Sequence, residues 1–348
     1  MKIRGVCYDV GRVLGGQWRP IFDVEIVTRE LQIIHRDLHC TAVRICGHDL
    51  DRVTNASEIA AAEGLEVWMS PEMWSKRRSA TRSYIAEASR RAQKVALAYP
   101  GQIILSIGSE FSLYTRGFVP GLVLSSRLGR ASDYAHSPRS TSMLRNFLHD
   151  VVGDVRREFS GPITYASLTW EEVDWTLFDI IGVDHFRDER IEHQYLDMLT
   201  NYFTFDKPVV ITEFGMRGYV GANCTGTLGT GIVDDSLLTR SKLPFLKNHV
   251  TLQLVGDPVR DEHLQASEVV HTLGLLNAKK VNGAFVTTFS DYLAPTSDDP
   301  KFDLDMSSFS LVKNLGTNNG TTYPNMNWEP KESFHAVADW YNQAENQE

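Results

Sequence analysis

Apolar positions along this 348-residue chain fall into two alternating patterns. Short runs rich in Val and Ile, apolar at consecutive positions, read as strands covered on both faces. Longer stretches whose apolar residues recur every three to four positions read as amphipathic helices. Eight runs stand out: Ile3 to Tyr8, Ala42 to Cys46, Leu65 to Met69, Ile103 to Ile107, Ile163 to Leu168, Ile180 to Val183, Val209 to Thr212 and Gly283 to Phe289. The helical pattern covers Ile21 to Leu38, Ala56 to Glu63, Thr81 to Tyr99, Met143 to Phe159, Glu189 to Phe203 and Asp261 to Lys280, with a last helix from Lys331 to Tyr341. Between the fifth and sixth runs, Trp170 to Phe178 is too short for more than a turn or two of helix.

Eight strand-helix units predict a parallel sheet, and at this length a closed (β/α)8 barrel, the TIM-barrel architecture, in one domain over residues 1–348. No repeat of fixed period and no Pro- or Ser-rich linker divides the chain. The extra length sits in Phe111 to Ser142, Met216 to Val259 and Ser290 to Pro330, after the fourth, seventh and eighth runs. In a parallel barrel all three project from the carboxyl-end rim, where loops longer than ~15 residues commonly serve as lids or binding walls.

Composition narrows the partners. The chain is 42% hydrophobic and 23% charged, ordinary for a soluble globular protein. A net charge of −9 argues against nucleic acid or an anionic membrane, both of which reward clustered Lys and Arg. The brief Lys76-Arg77-Arg78 stretch reads as a solvated helix entry. No apolar run approaches the ~18 residues that span a bilayer, and no export signal opens the sequence. Cys7, Cys40, Cys46 and Cys224 are scattered without zinc-site spacing, so the expectation is a reducing, cytoplasmic compartment and no metal. No glycine-rich loop lies in strand-loop-helix context, so no nucleotide and no other cofactor is expected.

Two runs end in a carboxylate: Glu110, after Ile103-Ile104-Leu105-Ser106-Ile107-Gly108-Ser109, and Glu213, after Val209-Val210-Ile211-Thr212. A buried strand has no structural use for a terminal Glu, whereas the carboxyl ends of barrel strands are where chemistry is placed. Two carboxylates whose surroundings differ divide the labour of glycoside cleavage: the desolvated one stays protonated and donates, and the ionised one attacks.

On these residues the chain resembles the clan A retaining glycoside hydrolases. Gly108-Ser109-Glu110 is similar to the acid/base segment that ends the clan's fourth strand, and Ile211-Thr212-Glu213-Phe214-Gly215 to the nucleophile segment that ends the seventh. Arg4-Gly5-Val6-Cys7-Tyr8 is similar to the first strand, Val43-Arg44-Ile45 to the second, Asp179 to Asp184 to the sixth, and Trp328-Glu329-Pro330-Lys331 to the approach to the final helix. The resemblance implies Glu110 as acid/base, Glu213 as nucleophile and Arg44 beside the nucleophile, lowering its pKa. The implied substrate is a small glycoside or sugar-bearing metabolite.

Three positions depart from the clan's pattern. Ser109 stands where the clan has Asn, Asp184-His185-Phe186 where it has Asn and a pair including Tyr, and Phe289 or Tyr292 must replace the Trp that floors the sugar subsite. The expected substrate-binding set is therefore Arg44, Ser109, Asp184, His185, Trp68, Trp170 and Phe289, with Trp18 and Trp74 as further stacking candidates. Arg44 could equally be structural, and His185 could orient Glu213. Glu171 and Glu172 could supply another acid to the site but read rather as first-turn residues of a short helix, and Asp298, Asp299, Asp303 and Asp305 form an acidic loop without a known calcium spacing. Two other readings stay open: non-hydrolytic acid/base chemistry such as elimination, isomerisation or cyclisation, and a catalytically silent carbohydrate-binding protein.

Overall fold

The computed structural model describes residues 1–11, 19–134, 137–225, 231–234 and 252–345. Eight parallel strands close a barrel in sequence order: β1 (Ile3–Asp9), β2 (Ala42–Gly47), β3 (Glu66–Pro71), β4 (Ile103–Ser109), β5 (Ile163–Leu168), β6 (Ile181–Asp184), β7 (Val209–Phe214) and β8 (Gly283–Val286), with β8 pairing back onto β1. The (β/α)8 reading of the apolar pattern is therefore the architecture.

The described residues divide into two compact units. The first, Met1–His185, Leu196–Phe214 and Leu275–Val286, holds all eight barrel strands. Its inward side chains Cys7, Ala42, Cys46, Trp68, Ile104, Val210 and Phe285 form a dry core. Phe285 fills so much of that interior that a Cβ on Gly5 would stand 2.3 Å from its ring, which is why β1 carries a glycine there. Outside the strands run α1 (Val24–Arg36), α2 (Leu50–Ala62) and α3 (Arg78–Ala98), then a helix over Pro138–Glu158. Asp23 and Asp49 cap the first two, each accepting from two backbone N–H groups of the opening turn. The Asp49 cap starts α2 at Leu50, ahead of the apolar periodicity, and Pro138 at the first position starts the later helix ahead of Met143.

The stretch read as helical from Glu189 to Phe203 is instead a series of turns ending in a 3-10 segment, Asp197–Phe205. Thr200, Tyr202, Phe203, Thr204 and Phe205 are β-branched or aromatic and lose side-chain freedom in an α-helix. The second unit, Phe186–Tyr195, Gly215–Gly274 and Thr287–Glu348, contains the antiparallel pair β9 (Val312–Asn314) and β10 (Trp328–Pro330) and the final helix Glu332–Glu345. Much of the long loop after β7, like Trp18, lies outside the described residues. Among the described residues no helix is long and apolar enough to cross a membrane.

Candidate active site

Register shifts fall at the carboxyl ends of three strand pairs. β4 gains a residue against β5 between Ser106 and Ser109, β7 slips against β6 between Val183 and Asp184, and β7 slips against β8 between Ile211 and Phe214. Bulges turn side chains off the regular in-out alternation and concentrate beside active sites. Here they occur on the strands that present Ser109, Asp184 and Glu213, and the same ladder sets Asp184 opposite Glu213.

Glu110 follows β4 in a left-handed backbone conformation (φ 46°, ψ 47°), two residues after Gly108 at φ 143°. A non-glycine residue persists there only where neighbours hold it. The holding bonds come from β5 and its loop. Glu110 N–H donates to Ala166 O at 2.9 Å, Phe111 N–H to the Tyr165 hydroxyl at 2.7 Å, and Ser112 N–H to Glu171 Oε1 at 3.0 Å. Tyr165 OH in turn donates to Glu171 Oε2 at 2.8 Å, which also accepts from Leu168 N–H at 3.0 Å. Gly108 admits no side chain, since a Cβ would meet the Phe111 ring at 2.3 Å.

Glu213 lies opposite a fixed cation. Arg44, wholly buried on β2, donates from Nη1 to Glu213 Oε1 at 2.5 Å and to Thr212 O at 3.3 Å, while its Nη2 lies 3.8 Å from Glu72 Oε1. Burial works against the Arg44 charge, but Cys46, Glu213, Cys7 and Asp184 outweigh it and raise its pKa. Asp184 accepts from Thr212 Oγ1 at 2.6 Å and from Ser109 Oγ at 3.0 Å. Its pKa is pushed up to about 7, first by burial and then by Glu213, against the pull of Arg44. Glu110 lies further from ordinary behaviour. Burial, then the carboxyls of Asp184, Glu213, Glu171 and Glu72, push it well above the usual carboxylate range.

The first unit thus brings together Glu110, Glu213, Arg44, Ser109 and Asp184 from the expected set. His185 joins through its backbone, donating N–H to Glu213 O at 2.8 Å, with its ring buried. Arg44 is fully covered, and its guanidinium lies against Glu213 and Glu72. Trp68 is a correction: it is completely buried in the barrel core, 4.9 Å from the Phe285 ring and donating to Glu66 Oε1, and presents no face for stacking. In the second unit Phe289 is likewise fully buried, edge-on to Trp328 at 5.3 Å, so it floors no subsite. Trp170 stands just past β5, half-buried. Trp74, also half-buried, stacks on Tyr114 at 4.0 Å and donates to Glu72 Oε2 at 3.1 Å.

Sequence reasoning passed over Glu72 and Thr212, and preferred a helix-start role for Glu171. Glu72 was within reach of the same logic that found Glu110, because it is the first acid after the third run. Glu171 is no first-turn dipole residue; it is the buried acceptor that ties the β5 loop to the turn bearing Glu110. In the second unit the acidic loop is answered by cations: Asp303 and Asp305 pair with Arg260, and Asp305 with Lys331 at 2.9 Å.

Among the described residues one group has metal-like donors. Cys7 Sγ, Cys46 Sγ and a Glu213 oxygen lie within 4.8 Å of one another. The Arg44 guanidinium already donates to that carboxylate and lies 3.8 Å from Cys7 Sγ, so a metal ion there would meet a fixed positive charge.

No protein-family model and no curated protein matches this chain. Solved structures match its fold. A GH113 β-1,4-mannanase superposes with TM-score 0.61 at 13% identity, covering 98% of each chain. The GH113 β-mannanase AaManA from Alicyclobacillus acidocaldarius, in complex with ManMIm, gives 0.55 at 12% over 98% of this chain and 97% of its own. The β-glucuronidase of Ruminococcus gnavus gives 0.59 at 13%, with 98% of this chain matching 50% of that one. At such identities the likeness is one of fold: this barrel is the one on which those glycoside hydrolases are built.

Proposed function

We propose that the chain is a retaining glycoside hydrolase, with Glu110 as acid/base and Glu213 as nucleophile. The observation that carries this reading is the contrast between the two carboxyls. Burial among acids pushes the Glu110 pKa well above the usual carboxylate range, while Glu213 accepts from the Arg44 guanidinium at 2.5 Å. That is the division of labour glycoside cleavage needs.

In the first step the Glu110 proton passes to the glycosidic oxygen as the bond to the anomeric carbon breaks, and a Glu213 oxygen bonds that carbon from the opposite side. In the second, the Glu110 carboxylate takes a proton from water, the water oxygen attacks the same carbon, and Glu213 leaves ionised. Proton and charge balance, and no cofactor enters. The substrate class is a small glycoside or sugar-bearing metabolite. The structures of like fold include β-mannanases and β-glucuronidases, so aryl β-mannosides and β-glucuronides head the panel.

The test is covalent trapping with activated 2-fluoro glycosides of that panel, followed by peptide mapping. A glycosyl label on Glu213, absent from Glu213→Gln, supports the assignment, and a label on any other residue defeats it. A second reading, non-hydrolytic acid/base chemistry, draws on Asp184, which titrates near neutrality beside Glu213. It gains if the folded protein turns over no member of the panel.

A further inference from the structure

Outside the candidate active site, the segment after β4 and α4 (Phe111–Tyr114) walls a cavity of about 870 Å3 in the first unit. That lies within the range typical of small-ligand sites, roughly 300–1,000 Å3. Its described lining contains four arginines, Arg78, Arg116, Arg130 and Arg139, and neither Asp nor Glu. In a chain with net charge −9 this is a sharp local reversal. Among the described residues none of the four makes an ion pair, although arginines elsewhere on the same helices do: Arg82 with Asp150 and Asp154, Arg90 with Glu87 and Glu158.

A fifth guanidinium, that of Arg127, donates to the carbonyls of the lining residues Gly121 and Leu122. Arg127 is completely buried, yet its donors reach only neutral acceptors: Leu113 O at 2.5 Å, Gly121 O at 3.2 Å and Ser75 Oγ at 2.9 Å. A buried charge without a counter-charge is costly, and an anion nearby offsets that cost. The backbone adds to the same field. Arg78 and Arg139 sit in the first turns of two 21-residue helices, α3 and Pro138–Glu158, and neither turn contains an acid or a side-chain N-cap bond. Helix N-termini are positive and ordinarily carry Asp or Glu, so arginines there raise the energy of the empty site. The Arg78 guanidinium is held 5.6 Å from the Phe118 ring centroid, and Arg130 donates to Pro120 O at 3.2 Å, which fixes two of the four in place.

We infer that this cavity binds a small molecule bearing two or more phosphate or sulfate groups, held by Arg78, Arg116, Arg130 and Arg139. Tetrahedral oxyanions accept paired N–H donors from guanidinium groups, and four such groups line this one cavity. The site is distinct from Glu110 and Glu213 and stands whether or not the chain is a glycosidase.

Isothermal titration of the full chain with inorganic pyrophosphate, at low and at physiological salt, tests it. The expected result is saturable binding that weakens with salt and by about tenfold or more for each of Arg116→Gln and Arg139→Gln. Both side chains are exposed, so the variants should keep the parent's circular dichroism. Arg90→Gln, on the same helix as Arg78 but paired with Glu87 and Glu158, should leave the affinity unchanged. No saturable binding at low salt, or equal weakening by Arg90→Gln, overturns the inference. Running inorganic sulfate and phosphate beside pyrophosphate separates a single-oxyanion site from a polyanion site, and tighter binding of either single oxyanion would also overturn it.

Discussion

Ser109 Oγ donates to Asp184 Oδ2 at 3.0 Å. These are two of the positions at which the sequence leaves the clan A pattern, and the fold makes them partners. With Thr212 Oγ1 on the other oxygen, Asp184 is satisfied by two neutral hydroxyls and sits opposite Glu213 in the ladder. Burial there, and the Glu213 charge, raise its pKa from 3.8 to about 7.

That shift fixes a pH dependence of stability. The folded chain holds this proton more tightly than the unfolded chain, so the stabilisation is complete below pH 3.8 and is lost as pH rises through about 7. Denaturant unfolding at intervals across that window should show stability falling with pH, by on the order of a few kcal/mol from this group. Asp184→Asn, which cannot ionise, should flatten that part of the curve. An unchanged slope in the variant would assign the titration elsewhere.

Glu110→Gln separates the acid role from binding. General acid catalysis is worth about 10²–10⁴-fold, and only where the leaving group needs a proton. Aryl glycosides with very acidic phenols should therefore keep most of their glycosylation rate, while alkyl glycosides lose it. A uniform loss across leaving groups would mean that Glu110 does something other than donate a proton.

How far the sequence reaches depends on which force sets each feature. All eight strands and the two carboxyl-terminal glutamates were legible because burial on both faces writes a continuous apolar run, and an acid at its end breaks it conspicuously. The start of α2 was not, because Asp49 sets it through two backbone bonds and not through apolar periodicity. Trp68 was misplaced because a strand pattern cannot say which of its two faces points into the barrel. Phe289 stood at the end of an overlong run, since β8 stops at Val286. The holding role of Glu171 was hidden because its partners Ser112 and Tyr165 are joined to it by the fold, across 59 residues in one case.

Arg44 joins two carboxylates, with Nη1 on Glu213 and Nη2 3.8 Å from Glu72. Arg44→Met removes the guanidinium that lies against both and leaves the two acids buried. Losing one partner of a buried pair costs about 3–5 kcal/mol, which chemical denaturation would register. The same variant should raise the pH needed for covalent trapping, because Glu213 loses the charge that favours its ionised form. Destabilisation with trapping unaltered in rate and pH profile would reduce Arg44 to a structural role.

Glu171 tests whether Glu110 is aimed from behind. Its two oxygens accept from Ser112 N–H, Leu168 N–H and the Tyr165 hydroxyl, and that hydroxyl accepts from Phe111 N–H, so the turn after Glu110 hangs on a single carboxyl. Glu171→Gln keeps the volume but replaces one acceptor oxygen with a donor that faces other donors. Leaving a buried donor unsatisfied costs about 1–3 kcal/mol, so the melting temperature should fall. If the turn positions the acid, the rate loss should be larger for poor leaving groups than for good ones, in the manner of Glu110→Gln but milder. A variant that melts earlier yet keeps the parent's leaving-group dependence would show that Glu171 holds the loop without aiming the acid.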